Sequence, residues 1–222
     1  MTAGTLRAPG LPTALTPGGA QAVFRATLDV LARPGTVRRL PSAADEPLAA
    51  HVPAALLPLL ALADLSTPVC VLDEEGVEGG EDATAWDEIV RVANNAPRSA
   101  LGAARLVAAL RPLTAGELAG LRTGTAAAPE DGALACLAVA GIATATDPGR
   151  EHDSADRLLR LSGPGVPGAR AVAVTGLPAG FAAARRGLVA GFPAGADLLL
   201  IAPDGAMTGL PRTTTLHEEE NV

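Results

Sequence analysis

Apolar residues recur along this chain at two spacings, one typical of amphipathic helices and the other of buried strands. The first clear helix begins at Thr16, a hydroxyl N-cap, followed by Pro17 at the first helical position. Apolar residues then follow at helical spacing as far as Leu31, and Pro34-Gly35 ends the pattern. The same reasoning predicts helices at residues 53–65, 84–93, 114–121 and 178–189.

Two of these helices carry features that matter later. The segment 114–121 has Thr114 and Glu117 at the spacing of a capping box, which predicts a short helix. In the segment 178–189, Phe181 and Leu188 are assigned to the buried face. Arg185-Arg186 is assigned to the solvent face of that helix.

Short apolar runs bounded by turn residues predict the strands. These runs are residues 37–40, 68–72, 133–142, 157–162 and 171–175, whereas residues 104–110 fit either a strand or a helix. Residues 196–202 and 206–210 predict a hairpin, since Pro203-Asp204-Gly205 between them is a turn tripeptide.

Helices that alternate with buried strands predict an α/β fold, with three layers and a mixed β-sheet flanked by helices. The chain of 222 residues is long enough for one domain, which we place at residues 16–214. Residues 1–15 are rich in Pro, Gly and Thr and are expected to form a flexible segment. Residues 215–222 are expected to form an acidic tail.

Composition excludes several functions. Aromatic residues make up 2% of the chain and the net charge is −7, so nucleic-acid binding is not expected. All 17 basic residues are arginine. A chain without lysine cannot form the Schiff base that holds pyridoxal phosphate, and no cofactor is predicted.

Cysteine and histidine point to neither a disulfide framework nor a metal site. Cys70 and Cys136 lie in apolar runs and are expected to be buried free thiols. None of the three histidines has a cysteine or a second histidine at ligand spacing, so no metal is predicted. The N-terminus lacks the pattern of a signal peptide and no apolar run is long enough to span a membrane. A cytoplasmic protein is therefore expected.

Three runs, residues 61–69, 122–132 and 210–214, carry the polar side chains proposed to line a binding site, and a fourth, residues 161–166, contains a Gly-Pro-Gly break. The proposed binding residues are Asp64, Thr67, Thr125, Glu130, Arg212, Thr213 and Thr214. Arginine beside hydroxyl groups at the end of a strand is a combination that binds anions. The alternative is that the Gly, Pro, Asp and Thr residues serve turns only, and that Arg212 pairs with Glu130 or another carboxylate.

Five segments, in order, resemble the PhnH subunit family of bacterial carbon–phosphorus lyase. They are Phe24-Arg25 with residues 32–35 (ARPG), residues 60–69 (LALADLSTPV), 121–133 (LRTGTAAAPEDGA), 159–166 (LRLSGPGV) and 192–214, which ends in LPRTT. The chain departs from the family at Leu31, where a methionine is common. It also departs at residues 92–97, which lack a polar His-Thr pair.

The resemblance implies a fold similar to the large domain of pyridoxal-phosphate-dependent transferases, without the cofactor. It also implies a core complex with other carbon–phosphorus lyase subunits, which forms ribose 1-phosphonate 5-triphosphate from ATP and an alkylphosphonate. The radical chemistry that follows is assigned to another subunit, since two cysteines cannot hold an iron–sulfur cluster.

We therefore expect an accessory or structural subunit that has no catalytic residues assigned and does not turn over substrate alone. The isolated chain is expected to be a homodimer that uses residues 53–65 and the hairpin around 196–210 as its contact surface. The alternative is a stand-alone transferase or binding protein for a small anion, a phosphonate or a nucleotide phosphate, gripped by Arg212, Thr213 and Thr214.

Overall fold

The computed structural model describes residues 13–73, 85–144 and 156–219. Its helices are α1 (Pro17–Ala32), α2 (Leu57–Leu62), α3 (Ala85–Asn94), α4 (Ala115–Ala119) and α5 (Phe181–Val189). Its strands are β1 (Arg38–Arg39), β2 (Val69–Leu72), β3 (Leu106–Ala109), β4 (Leu134–Ala138), β5 (Gly141–Thr144), β6 (Asp156–Ser162), β7 (Arg170–Thr175), β8 (Asp197–Ile201), β9 (Ala206–Leu210) and β10 (Thr215–Glu219).

The strands form two sheets. The larger has six strands in the order β1-β9-β8-β4-β3-β2. Strands β2, β3, β4 and β8 are parallel, while β9 runs antiparallel to both β8 and β1. The smaller sheet is antiparallel, in the order β10-β6-β7-β5.

The larger sheet is the middle of three layers, because its side chains alternate between two apolar clusters. Cys136 and Leu199 pack with Val23, Val30 and the other buried residues of α1, α2 and α3 on one face. The residues that adjoin Cys136 and Leu199 in sequence point to the opposite face of the sheet, where they pack with α4, α5 and the inner face of the smaller sheet. The predicted α/β fold with helices flanking a mixed sheet is confirmed, but the second sheet was not predicted.

The division into two sheets corrects the prediction of one strand at residues 133–142. Two strands are present, β4 and β5, and they belong to different sheets. Between them the Val139 amide donates to the Ile201 carbonyl of the larger sheet at 3.0 Å. The next amide, that of Ala140, donates to Thr175 of the smaller sheet at 2.8 Å. The chain thus passes from one sheet to the other within two residues.

Three further expectations change. Residues 53–65 form a 3-10 turn at Ala54–Leu56 followed by the short helix α2. Leu198, Leu199 and Leu200 of the hairpin are fully buried, as are Leu57 and Leu59 of α2, so these side chains cannot form the predicted dimer surface; of residues 53–65, Leu65 is 72% exposed. Thr215–Glu219, expected in an acidic tail, forms strand β10. Residues 1–12, 74–84, 145–155 and 220–222 lie outside the described residues, and they include most of the expected flexible segment, the end of the expected acidic tail and one of the three histidines, His152.

Other predictions are confirmed. Thr16 caps α1 by accepting from the Gly19 amide at 3.0 Å, and the capping box of α4 is present. The hairpin of β8 and β9 turns at Pro203-Asp204-Gly205. Both cysteines are buried free thiols, and burial raises the pKa of Cys136. No helix in the described ranges is long and apolar enough to cross a bilayer. The single domain over residues 16–214 stays a prediction.

Helix α1 lies unusually close to the larger sheet. A Cβ added at Gly209 of β9 would lie 2.6 Å from the Val30 carbonyl oxygen. The start of the same helix is held by Glu46, whose fully buried carboxylate accepts from the Thr16 amide at 3.0 Å and the Thr16 hydroxyl at 2.7 Å. Both contacts fix where the helix sits on the sheet.

Candidate functional site

Two of the runs marked in the sequence meet at the side chain of Arg212, which follows β9. Its guanidinium binds both carboxylate oxygens of Asp197, the closest contact being Nη2 to Oδ2 at 2.7 Å. Its Nη1 donates to the Pro129 carbonyl at 2.5 Å and to the Pro193 carbonyl at 3.5 Å. We call Arg212, Asp197, Pro129 and Pro193 the Arg212 cluster.

The Arg212 cluster holds together the start of β8 and the loops before β4 and β8. The packing is tight enough to require glycine, since a Cβ added at Gly132 would lie 2.1 Å from the Gly195 carbonyl oxygen and 3.0 Å from the guanidinium. The alternative interpretation was that Arg212 pairs with Glu130 or another carboxylate, and the carboxylate that it binds is Asp197. The positive charge of Arg212 is therefore balanced within the protein.

Glu130 and Thr125 lie in the loop before β4 and are both exposed. The carbonyl of Glu130 accepts from Arg105 Nη2 at 2.7 Å. The Thr125 hydroxyl accepts from the Ala128 amide at 3.0 Å, a contact within its own turn. These contacts fit the turn interpretation of both residues.

Asp64 and Thr67 lie before β2, at the far end of the larger sheet from β9, with β3, β4 and β8 between. Asp64 is exposed and accepts from the Thr67 hydroxyl at 2.7 Å and the Ser66 hydroxyl at 2.8 Å. Hydrogen bonds from Thr67 and Ser66 lower the pKa of its carboxyl group. The structure thus does not bring Asp64 and Thr67 together with Arg212.

Thr213 and Thr214, in contrast, line a groove of about 510 Å³ between α5 and β10. One wall consists of Arg185, Arg186, Val189 and Phe192, and the other of residues 212–217, with Pro164 of the Gly-Pro-Gly break beside them. Thr213, Thr215 and His217 are exposed, whereas Thr214 and Leu216 are buried. Phe192 is 63% exposed, so the groove combines cationic, hydroxyl and aromatic surface.

The prediction that Arg185 lies on the solvent face of α5 is wrong. Arg185 is 2% exposed, not on the solvent face, and its Nη2 donates to the Pro211 carbonyl at 2.7 Å. Its Nε, also buried, has no acceptor among the described residues. Burial lowers the pKa of Arg185 to about 10, and the positive charge of Arg212 lowers it as well, whereas the carboxylate of Asp197 raises it. The group stays charged at neutral pH.

A buried guanidinium that contacts carbonyl groups and no carboxylate in the described part of the chain is poorly compensated. The Thr214 hydroxyl, on the opposite wall, is also buried and lacks a partner there. Together they make the groove suited to an anion. In the same described residues, no group of three or more His, Cys, Asp or Glu side chains could hold a metal ion.

The position of Arg185 did leave a signal in the sequence. Arg185 follows Phe181 by four residues and precedes Leu188 by three, so all three share one face of a helix. Helical spacing alone therefore places Arg185 on the buried face, but the prediction gave the charge of the side chain more weight than its position.

Fold and groove together define an α/β protein that has a cationic groove beside the edge strand of its smaller sheet. A family model described as bacterial phosphonate metabolism protein (PhnH) matches residues 14–217. Because this match covers most of the chain, the protein belongs to the PhnH family, and the resemblance drawn from the sequence is confirmed. None of the curated proteins matches the chain.

Proposed function

We propose that this protein is an accessory, structural subunit of the carbon–phosphorus lyase core complex. In this role it would support the formation of ribose 1-phosphonate 5-triphosphate from ATP and an alkylphosphonate. Membership of the PhnH family gives the role in phosphonate metabolism. The structural part of the proposal is carried by the Arg212 cluster.

The cluster supports a structural role because its polar groups are committed to one another. The guanidinium of Arg212 binds Asp197 and donates to carbonyl groups of two loops. Such a residue fixes the shape of the surface that those loops form. A shape fixed in this way suits a subunit whose task is to present a surface to its partners.

The test is capture of partner subunits. The tagged full-length chain is expressed in cells that grow on methylphosphonate as the phosphorus source, and the proteins that co-purify are identified. We expect the other core subunits in fixed ratio, and no consumption of ATP by the isolated chain when methylphosphonate is added. Phosphonate-dependent turnover by the isolated chain would overturn the accessory role and favour a stand-alone transferase.

Three further properties belong to the same proposal. The isolated chain forms a homodimer, which gives way to contacts with other subunits in the complex. The assembly works in the cytoplasm, a reducing compartment that suits the free thiols of Cys70 and Cys136. The chain binds no cofactor, since without lysine it cannot hold pyridoxal phosphate covalently.

A second candidate function, binding of a small anion, is favoured by Arg185 and Thr214 in the groove. A phosphonate oxygen would supply the acceptor that Arg185 Nε lacks and would pair with the Thr214 hydroxyl. Titration calorimetry with methylphosphonate tests this, with Arg185→Met as the variant and Arg39→Ala, on the far edge of the larger sheet, as the control. Binding that is lost only in Arg185→Met would support the small-anion function. An absence of heat with the wild-type chain would exclude it.

A further inference from the structure

The groove between α5 and β10 is much larger than a small anion. Its volume of about 510 Å³ falls within the range of sites that enclose a whole organic molecule, about 300–1,000 Å³. A methylphosphonate ion beside Arg185 would leave most of that space open. The size of the groove therefore favours a ligand whose anionic group is joined to a larger organic part.

Arg185 and Thr214 form one anion-binding end of the groove, because both residues bind the same backbone carbonyl. The Pro211 oxygen accepts from Arg185 Nη2 at 2.7 Å and from the Thr214 amide at 2.9 Å. Arg185 Nε and the Thr214 hydroxyl are buried there and have no partner among the described residues. Two such donors at one point suit a single phosphoryl group, and the exposed Arg186 beside them adds positive charge.

Phe192 provides a flat aromatic surface further along the wall that carries Arg185. It is 63% exposed, more than any other aromatic side chain of this chain. Val189 follows Arg185 by one turn of α5, about 6 Å along the axis, and the Phe192 amide donates to the Val189 carbonyl at 3.2 Å. The residue after Phe192 belongs to the Arg212 cluster. The ring is thus held at a distance from the anion-binding end, where a planar group of a ligand can stack on it.

We propose that the groove binds a nucleoside monophosphate, with its phosphate on Arg185 and Thr214 and its base stacked on Phe192. The inference rests on the small-anion function proposed above and adds the class of ligand. Ribose joins the two recognised groups and crosses the middle of the groove. Three exposed side chains of the opposite wall offer hydrogen bonds to its hydroxyl groups, namely Thr213, Thr215 and His217.

Titration calorimetry of the purified full-length chain with four ligands tests the proposal. AMP carries phosphate, ribose and base, ribose 5-phosphate lacks the base, adenosine lacks the phosphate, and methylphosphonate carries the anionic group alone. We expect AMP to bind about tenfold more tightly than ribose 5-phosphate, a gain typical of one base stacked on an aromatic side chain. Adenosine should bind at least about tenfold more weakly than AMP, because it makes no charge-assisted hydrogen bond.

The first variant tests the stacking surface. Phe192→Leu removes the flat ring and keeps an apolar side chain, so it should weaken AMP binding about tenfold and leave methylphosphonate binding unchanged. The matched control is Phe24→Leu, which removes a ring that is 44% exposed on α1, away from the residues that line the groove. The control should change the affinity for neither ligand.

The second variant tests the anion-binding end without a cost to the fold. Thr214→Val removes a buried hydroxyl that has no partner in the described part of the chain, so the melting temperature should not fall. The affinities for AMP and for methylphosphonate should both fall, by about fivefold or more. A Thr214→Val chain that binds AMP as tightly as the wild type would show that the phosphate does not lie on Thr214.

Two further outcomes would overturn the proposal and leave the small-anion function intact. One is binding of methylphosphonate with AMP no tighter, and the other is binding of AMP that Phe192→Leu leaves unchanged. Failure of all four ligands to bind would remove the small-anion function together with this inference. The accessory role is separate from these results, because it is tested by the capture of partner subunits.

Discussion

Replacing Arg212 by alanine should destabilise the fold far more than removing an equivalent ion pair from the surface. The chain offers a matched comparison. Arg212 Nη2 and Arg39 Nη1 each lie 2.7 Å from an aspartate oxygen, of Asp197 and Asp204 respectively. The two pairs differ in exposure, because the side chains of the first pair are 14% and 25% exposed and those of the second are 68% and 57% exposed.

The expected magnitudes follow from that difference. Removing one member of a buried pair costs about 3–5 kcal/mol, whereas exposed pairs contribute roughly 0.2–1 kcal/mol. Because Asp197 keeps some contact with water, we place Arg212→Ala at the lower end, about 3 kcal/mol. The Pro129 carbonyl loses its donor in the same variant. For a chain of this length, 1 kcal/mol corresponds to about 2–4 °C in melting temperature, so a decrease of roughly 6–12 °C is expected.

Thermal denaturation followed by circular dichroism measures the decrease, with Arg39→Ala as the control. Arg39→Ala should melt within about 4 °C of the wild type. A double-mutant cycle with Asp197→Ala should give a coupling energy of about 1–3 kcal/mol. If the two arginine variants melt at the same temperature, the structural role assigned to the Arg212 cluster is refuted.

Three more predictions concern the packing of two glycines, the charge of Glu117 and the absence of lysine. Gly209→Ala places a methyl group against the Val30 carbonyl and should lower the free energy of unfolding by about 1–3 kcal/mol. Gly187→Ala, which has open space around its Cβ, should stabilise α5 by about 0.5–1 kcal/mol. Urea denaturation measures both variants, and equal effects would contradict the close packing of α1 on the larger sheet. A hydrogen bond from Arg111 lowers the pKa of Glu117 from 4.5 to about 2. Glu117→Gln should therefore be less stable than the wild type at neutral pH, and the difference in free energy of unfolding should shrink as pH falls from 4.5 towards 2. A difference that stays constant over that range would show that the charge of Glu117 is unimportant. The purified protein should yield no borohydride-reducible chromophore with pyridoxal phosphate, since it has no lysine; a dialysis-resistant absorbance band that borohydride removes would refute this.

Where local signals decide structure, the sequence predicted it well. Thr16 and Pro17 mark the start of α1, and Pro203-Asp204-Gly205 marks the turn between β8 and β9, because capping and turn formation depend on neighbouring residues. The division of residues 133–142 between two sheets depends on distant partners of Val139 and Ala140. A continuous apolar run contains no information about which carbonyl each amide will meet.

The candidate site shows the same limit. Arg212 was singled out correctly as a residue with a special environment, but its partner Asp197 lies on another strand and could not be identified from spacing. Arg185 was assigned to the wrong face, since charged side chains are rarely buried and this general expectation was preferred to the helical pattern. Asp64 and Thr67 were grouped with Arg212 because each lies in a polar run beside a predicted strand, and the sequence does not show which of these runs meet.

The passage of the chain from β4 into the smaller sheet has a consequence for folding kinetics. Strands β4 and β8 are neighbours in the larger sheet, yet residues 139–196, which are 58 in number, separate them along the chain, compared with four residues between β8 and β9. Closing the longer connection costs about 2 kcal/mol more in chain entropy. Unless the smaller sheet and α5 form first and shorten that distance, the pairing of β4 with β8 is slow. We therefore expect amides of the β8–β9 hairpin to gain protection in pulsed hydrogen exchange before those that join β4 to β8.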